Sequence, residues 1–296
     1  MADSKPEVTA LIAQMPDTDQ QKQNAKDPNA VKTASKFTGP DVQEAQKTCA
    51  AILAGGRQTI LELLAALRDP SDADFKEYKA GYVLHGVCLL AGLPGKEEQR
   101  KVLAETMASQ LKGGPHSPAA KRILIRELQV AGGKESIAAL GECLSDDALC
   151  ESAVQALLAI RDGVAEPLRK ALGAAGGRNL IAIAQALGEL HDSESLPALR
   201  KLLAQGEIDV RRCAAVALTH LADAESADAI LKFAASSTGW ERTHATDLCL
   251  VMAEKLAAAG QKDKAVSIYT QLRDTRKDPE ERHLNAAAAR GLEALK

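Results

Sequence analysis

From residue 41 onward the apolar positions recur three and four residues apart, the spacing that lays them along one face of an α-helix. Leu180, Ile183, Ala184 and Leu187 stand at i, i+3, i+4 and i+7, and Leu196, Leu199 and Leu203 at i, i+3 and i+7. Between such stretches come Asp69-Pro70, Gly132-Gly133, Gly163, Gly176-Gly177 and Gly206, where helices need C-terminal stops. Nowhere do the strand-forming residues alternate with period two, so the pattern predicts an all-α protein. Residues 1–39 read differently: a short helical candidate, Pro6 to Met15, precedes the polar stretch Asp17 to Lys36 with Pro28 inside it. That stretch reads as a capping helix and a solvated connection.

The helical pattern repeats. Cys150 to Asp162 superposes on Leu180 to Asp192 and on Arg211 to Asp223, with an Ala-Leu pair in each copy (Ala156-Leu157, Ala186-Leu187, Ala217-Leu218) and a closing aspartate, Asp162, Asp192 or Asp223. A second helix follows each, marked by Leu140-x3-Leu144, Leu168-x3-Leu172, Leu199-x3-Leu203 and Ile230-x3-Ala234. One helix pair is too small to bury two apolar stripes, so neighbouring pairs must stack, with alanine at the closest crossings.

The unit Asp209-Val210-Arg211-Arg212-Cys213-Ala214-Ala215-Val216-Ala217-Leu218-x2-Leu221-x-Asp223, followed by a Leu/Ala helix, resembles a HEAT repeat of the short form found in phycobilisome-lyase-like proteins. The likeness runs from Pro118 to Ser237 and is looser over 41–113. Near the end, Leu256-x3-Gly260-x4-Ala265-x3-Tyr269-x2-Leu272 is similar to the junction and second helix of a tetratricopeptide repeat, and a last helix, Glu280 to Leu295, closes the array. The resemblance implies one right-handed α-α superhelix over 40–296, a HEAT-like α-solenoid of about seven helix pairs plus a terminal helix, with 239–296 as its irregular C-terminal part.

Composition narrows the function. A net charge of −3 and a pI near 6.1 argue against a protein devoted to neutralising nucleic-acid phosphates, leaving that role as a weak alternative. No apolar run is long enough to span a membrane. The start, Met1-Ala2-Asp3-Ser4, lacks an apolar signal core, which fits a cytoplasmic protein and equally a mature exported one with an added start Met. The six cysteines form no CxxC pair and read as buried free thiols.

Candidate chemistry centres on the second helices. After Leu168, Leu199 and Ile230 come Arg169-Lys170, Arg200-Lys201 and Leu231-Lys232, so one solvent-facing position carries Lys170, Lys201 and Lys232 in three successive units. In HEAT-like arrays the second helices line the concave surface. The resemblance therefore implies a cationic ladder of Arg169, Lys170, Arg200, Lys201 and Lys232 that meets an acidic or polar segment of a protein partner. The bland reading is a solvated face, with Glu166, Glu194 and Asp228 neutralising part of it. Tyr78 and Tyr82, with Phe75, share one helical stripe between Asp74 and Ala91: a core stripe, or an aromatic anchor for a ligand. Trp240 is placed to plug the change in repeat type.

No catalytic constellation, cofactor or metal site is expected. None of the six histidines precedes a glutamate, as it does in the di-iron relatives of this repeat class, and His191 with His220 make an incomplete ligand set. Gly55-Gly56-Arg57 reads as a break between two helices. The expected function is a non-catalytic interaction scaffold. The alternative from another class is an enzyme-associated subunit, either a tetrapyrrole lyase or chaperone or the regulatory domain of a larger enzyme. An aromatic content of 2% is a poor supply for gripping a conjugated ring or a flipped base.

Overall fold

The computed structural model describes residues 7–15, 41–68, 79–113 and 115–296. Among the described residues there are fifteen α-helices and no strand. They form two units, 1–164 and 165–296. None of the helices described is long and apolar enough to cross a membrane.

In the first unit α1 (Val8–Gln14) lays Val8, Leu11 and Ile12 on α2 (Val42–Ala65) and α3 (Lys79–Ala91). The run α2 is two helices in register with the sequence reading: Gly56, at φ 71° and ψ −157°, breaks it where Gly55-Gly56-Arg57 predicts a break. Such a φ is cheap only for a residue without a Cβ. Then come α4 (Glu97–Ser109), α5 (Pro118–Ala131), α6 (Ile137–Cys143) and α7 (Cys150–Ile160). Ser117 caps α5, its side chain accepting from the Ala120 N–H, with Pro118 in the first turn, as the sequence reading expects. The first helices of successive pairs pack on one another, α3 on α5 and α5 on α7.

The second unit holds α8 (Ala165–Leu172), α9 (Gly177–Glu189), α10 (Leu196–Gln205), α11 (Ile208–His220), α12 (Ala227–Ser236), α13 (Gly239–Ala258), α14 (Lys262–Thr275) and α15 (Arg282–Ala294). Leaving α1 aside and counting the two halves of α2 separately, the described residues run through seven successive helix pairs and a terminal helix, an α-solenoid order. The apolar stripes face inward as their spacing requires: Ile183, Ala184 and Leu187 on α9, Ala214, Ala217 and Leu218 on α11, Leu168, Leu199 and Ile230 on the second helices. Each fully buried leucine or isoleucine contributes about 1.5–3 kcal/mol, which no isolated pair could collect on both faces.

Within this unit the two layers differ in closeness. Helices α9 and α11 pack extensively, and α11 packs on α13, whereas α10 and α12 barely touch. Gly188 explains the first contact, because a Cβ there would stand 2.8 Å from the Ala217 Cα. The second-helix layer is thus the more open one, leaving room for long side chains between neighbouring helices. At the C-terminal end Leu256, Ala265, Tyr269 and Leu272 are buried and Gly260 turns at φ 80°, the roles their spacing assigns them.

Candidate partner-binding surface

On α8, α10 and α12 the chain advances about 100° per residue, so a buried residue is followed by a flanking one and then by one facing water. Leu168, Leu199 and Ile230 are buried, and Lys170, Lys201 and Lys232 two positions later are all exposed. The flanking position differs. Leu231 is buried, while Arg169 and Arg200 reach out of their helices toward the turn that closes the next first helix.

Those turns hold the partners of both arginines. Arg200 Nε donates to Asp223 Oδ2 at 2.8 Å and Nη2 to Oδ1 at 2.6 Å, a two-pronged pair that also takes the Ser226 hydroxyl at 2.5 Å. Its remaining Nη1 meets Glu225 Oε2 at 2.5 Å. One unit earlier, Arg169 pairs through Nη1 with Asp192 and through Nη2 with Glu194 at 3.1 Å. The two braces share one plan displaced by one repeat, each arginine tying its helix to an aspartate 23 positions ahead. They differ in detail: Asp192 is held through Oδ1 alone, its buried Oδ2 has no hydrogen-bond partner among the described residues, and Ser195 donates to the Asp192 carbonyl instead of the carboxylate. The repeated closing aspartates therefore act as anchors for the preceding unit. Asp162 has no such arginine to anchor, since the residue directly after Leu140, equivalent to Arg169 and Arg200, is Gly141.

Burial alone would raise the Asp223 carboxyl, but the hydrogen bonds from Arg200 and Ser226 and the Arg200 charge outweigh it and hold it below the ordinary aspartate range. A depressed carboxyl stabilises the folded state above its ordinary range, near pH 4, and that contribution fades as pH falls through the depressed value. Asp223→Asn is therefore expected to cost about 2 kcal/mol at neutral pH. The difference from the parent, read by hydrogen exchange in α10 and α11, should close in strong acid; equal protection at neutral pH would show that the brace contributes nothing.

The other sequence candidates land elsewhere. Tyr78 and Phe75 lie outside the described residues. Tyr82 is half-buried on α3 in the first unit. On the same helix His85 Nδ1 sits 2.9 Å from Glu127 Oε2, a carboxylate only 1% exposed that also meets Arg126 at 3.3 Å. All six cysteines are buried and free. Burial pushes the thiols of Cys49, Cys143, Cys150 and Cys213 up to about 11 and that of Cys249 to about 12, far from a reactive thiolate at neutral pH. His191 and His220 do come into one neighbourhood, where burial, Lys255 and His191 together lower the His220 pKa despite Glu189. Among the described residues no group of three or more His, Cys, Asp or Glu is placed to hold a metal ion.

Trp240 corrects an expectation. It plugs nothing: 67% exposed, it lies flat on His244 with ring centroids 5.2 Å apart, and the Arg212 guanidinium stands 5.5 Å from its ring centre. Helix α13 starts at Gly239, well ahead of its first fully buried residue Ala245, so Trp240 sits on an N-terminal turn outside the core.

Sequence reading also missed the braces. Their signal is the motif Asp-x-Glu-Ser, at Asp192-Ser193-Glu194-Ser195 and Asp223-Ala224-Glu225-Ser226, each copy following an Arg-Lys pair by the same interval.

Comparison with known proteins bears on this part of the chain. Residues 165–249 match the family model for HEAT repeats, so the stretch that carries the braces and the three lysines is a run of such repeats. Among solved structures, an engineered protein determined by the Northeast Structural Genomics Consortium is similar at 18% identity, with 97% of this chain and 84% of that one covered and a TM-score of 0.45. The complex of CpcE and CpcF of phycocyanin lyase from Nostoc sp. PCC7120 is similar at 17% identity, covering 89% of this chain and 98% of that one, with a TM-score of 0.33. No curated protein matches the chain.

Proposed function

We propose, from the HEAT repeats at residues 165–249, that the chain is a non-catalytic interaction scaffold taking an acidic or polar segment of a protein partner on the second-helix face, across Lys170, Lys201 and Lys232 with Arg169 and Arg200 beside them. One observation carries the reading: the same exposed position bears a lysine in three successive units, while the residue before it is either buried or drawn into a brace. The stack needs the leucines and the arginines. It makes no evident use of the lysines, each of which is exposed to water.

Three ammonium groups repeated once per unit suit an elongated anionic chain, because each contact is modest and the affinity is their sum. Screening shortens their reach to about 8 Å at physiological salt, so the partner must lie against the row for the charges to count.

Zero-length carbodiimide coupling reads the site directly. A peptide of alternating aspartate and serine, coupled and mapped by mass spectrometry, should join to Lys170, Lys201 and Lys232 ahead of Lys262, Lys264 and Lys277, which are also exposed. Coupling spread evenly over all exposed lysines would refute the proposal.

A further inference from the structure

The turns joining first to second helices carry glutamates that meet an arginine, Glu135 with Arg100 at 2.7 Å, Glu194 with Arg169 at 3.1 Å and Glu225 with Arg200 at 2.5 Å, and the turn before the terminal helix α15 carries a fourth, Glu281 with Arg242 at 2.5 Å. Two of them, Glu135 and Glu281, are largely buried and serve the packing. The other two differ. Glu194 and Glu225 are each 75% exposed, and each meets an arginine already held from its other side by a carboxylate that is nearly buried, Asp192 or Asp223. These two arginines directly precede Lys170 and Lys201.

We propose that Glu194 and Glu225 are internal place-holders for the partner's carboxylates. An arriving acidic segment displaces each glutamate into water, takes its place on the open side of Arg169 or Arg200, and gains the neighbouring Lys170 or Lys201 as well. Asp192 and Asp223 stay bound and keep the guanidiniums aimed. The exchange costs little because an ion pair open to water contributes little, and one carboxylate replaces another on the same donor. A buried pair, such as that of Glu281, could not be exchanged in this way.

The geometry also specifies the partner. The first helices α9 and α11 pack on each other, which sets the step between repeats at about 10 Å, and a polyproline II segment rises about 3.1 Å per residue with about three residues per turn. Carboxylates that reach Arg169 and Arg200 together are therefore about three residues apart, one turn, on one face of such a segment. The fitting partner is a peptide with an acidic residue at every third position, and free single carboxylates bind far more weakly.

This inference rests on the second-helix reading, and the test separates the two. A rhodamine-labelled peptide carrying aspartate at every third position is titrated by fluorescence anisotropy against the parent protein and the double variant Glu194→Gln, Glu225→Gln. A control variant, Glu254→Gln with Glu280→Gln, makes the same change in net charge at exposed positions elsewhere in the second unit. Removing the place-holders should tighten binding about fivefold, and the control should stay within about twofold of the parent. An unchanged or weaker affinity for the double variant overturns the place-holder role, and loss of binding on reversing the three lysines then leaves the surface reading standing. If the parent does not bind the peptide, both fall. The double variant keeps Asp192 and Asp223, so its hydrogen exchange in α10 and α11 should follow that of the parent.

Discussion

Glu281→Ala is expected to destabilise the C-terminal helices by about 3–5 kcal/mol, the loss typical when one partner of a buried ion pair is removed. Glu281 is 9% exposed in its side chain and holds Arg242 through both oxygens, at 2.5 and 3.0 Å. Arg276, more deeply buried still, has its Nε 3.7 Å from the same carboxylate and 3.1 Å from the Thr246 hydroxyl. Alanine would leave two guanidiniums facing each other with only the more distant charge of Asp278 to offset them. Arg276 registers the cost of burial, its pKa lowered by burial first and by the Arg242 charge second, whereas that of Arg242 is raised, chiefly by its hydrogen bonds with Glu281. The Glu281 carboxyl is lowered chiefly by its hydrogen bonds with Arg242, against an opposing effect of burial. A lowered carboxyl stabilises above its ordinary range and loses that contribution as pH falls through the depressed value, so the variant and parent should converge in acid. Because the chain has two units, a single global transition is not the right readout. Hydrogen exchange resolved to α13, α14 and α15 is. A change below about 1 kcal/mol at neutral pH would mean that water has taken over the pairing.

The architecture was legible because it rests on a local regularity. Leu157, Leu187 and Leu218 recur at nearly constant intervals, as do Leu168, Leu199 and Ile230, and the structure buries all six. Alanine and glycine at crossings, such as Ala217 against Gly188, announce close helices even without a known partner. Gly56 and Ser117 likewise act through their own backbone or the next turn, so their roles can be read where they stand.

Roles that depend on reach between helices were not legible in the same way. Arg169 and Arg200 look like solvent cations in a linear reading, and only the fold brings them to Asp192 and Asp223. The recurrence of both residue types was visible, but the pairing needs to know that a second helix leans on the turn after the next first helix. Glu127 shows the same effect in the first unit. A charged residue beside Arg126 reads as surface, yet it is buried because His85 and Arg126 supply its hydrogen bonds. Trp240 failed in the opposite sense: its size suggests a plug, whereas the early start of α13 leaves it outside the core.

Reversing all three lysines, Lys170→Glu, Lys201→Glu and Lys232→Glu, is the second large effect expected. Each lost contact with an acidic segment is worth roughly 0.7 kcal/mol at an exposed site, and three together amount to about 2 kcal/mol, or about 30-fold in affinity, before any repulsion from the new carboxylates is added. None of the three side chains takes part in the braces or the core, so the fold should be unaffected. The matching control reverses Lys262, Lys264 and Lys277, which are exposed in the same unit and change the net charge equally.

The decisive measurement is the dissociation constant of an aspartate-rich peptide for these two triple variants and the parent at physiological salt. The account predicts at least about a 30-fold loss for the row on α8, α10 and α12 and little change for the control. Equal losses in both variants would show that the peptide responds to total charge alone, and would contradict a binding surface built by the repeats.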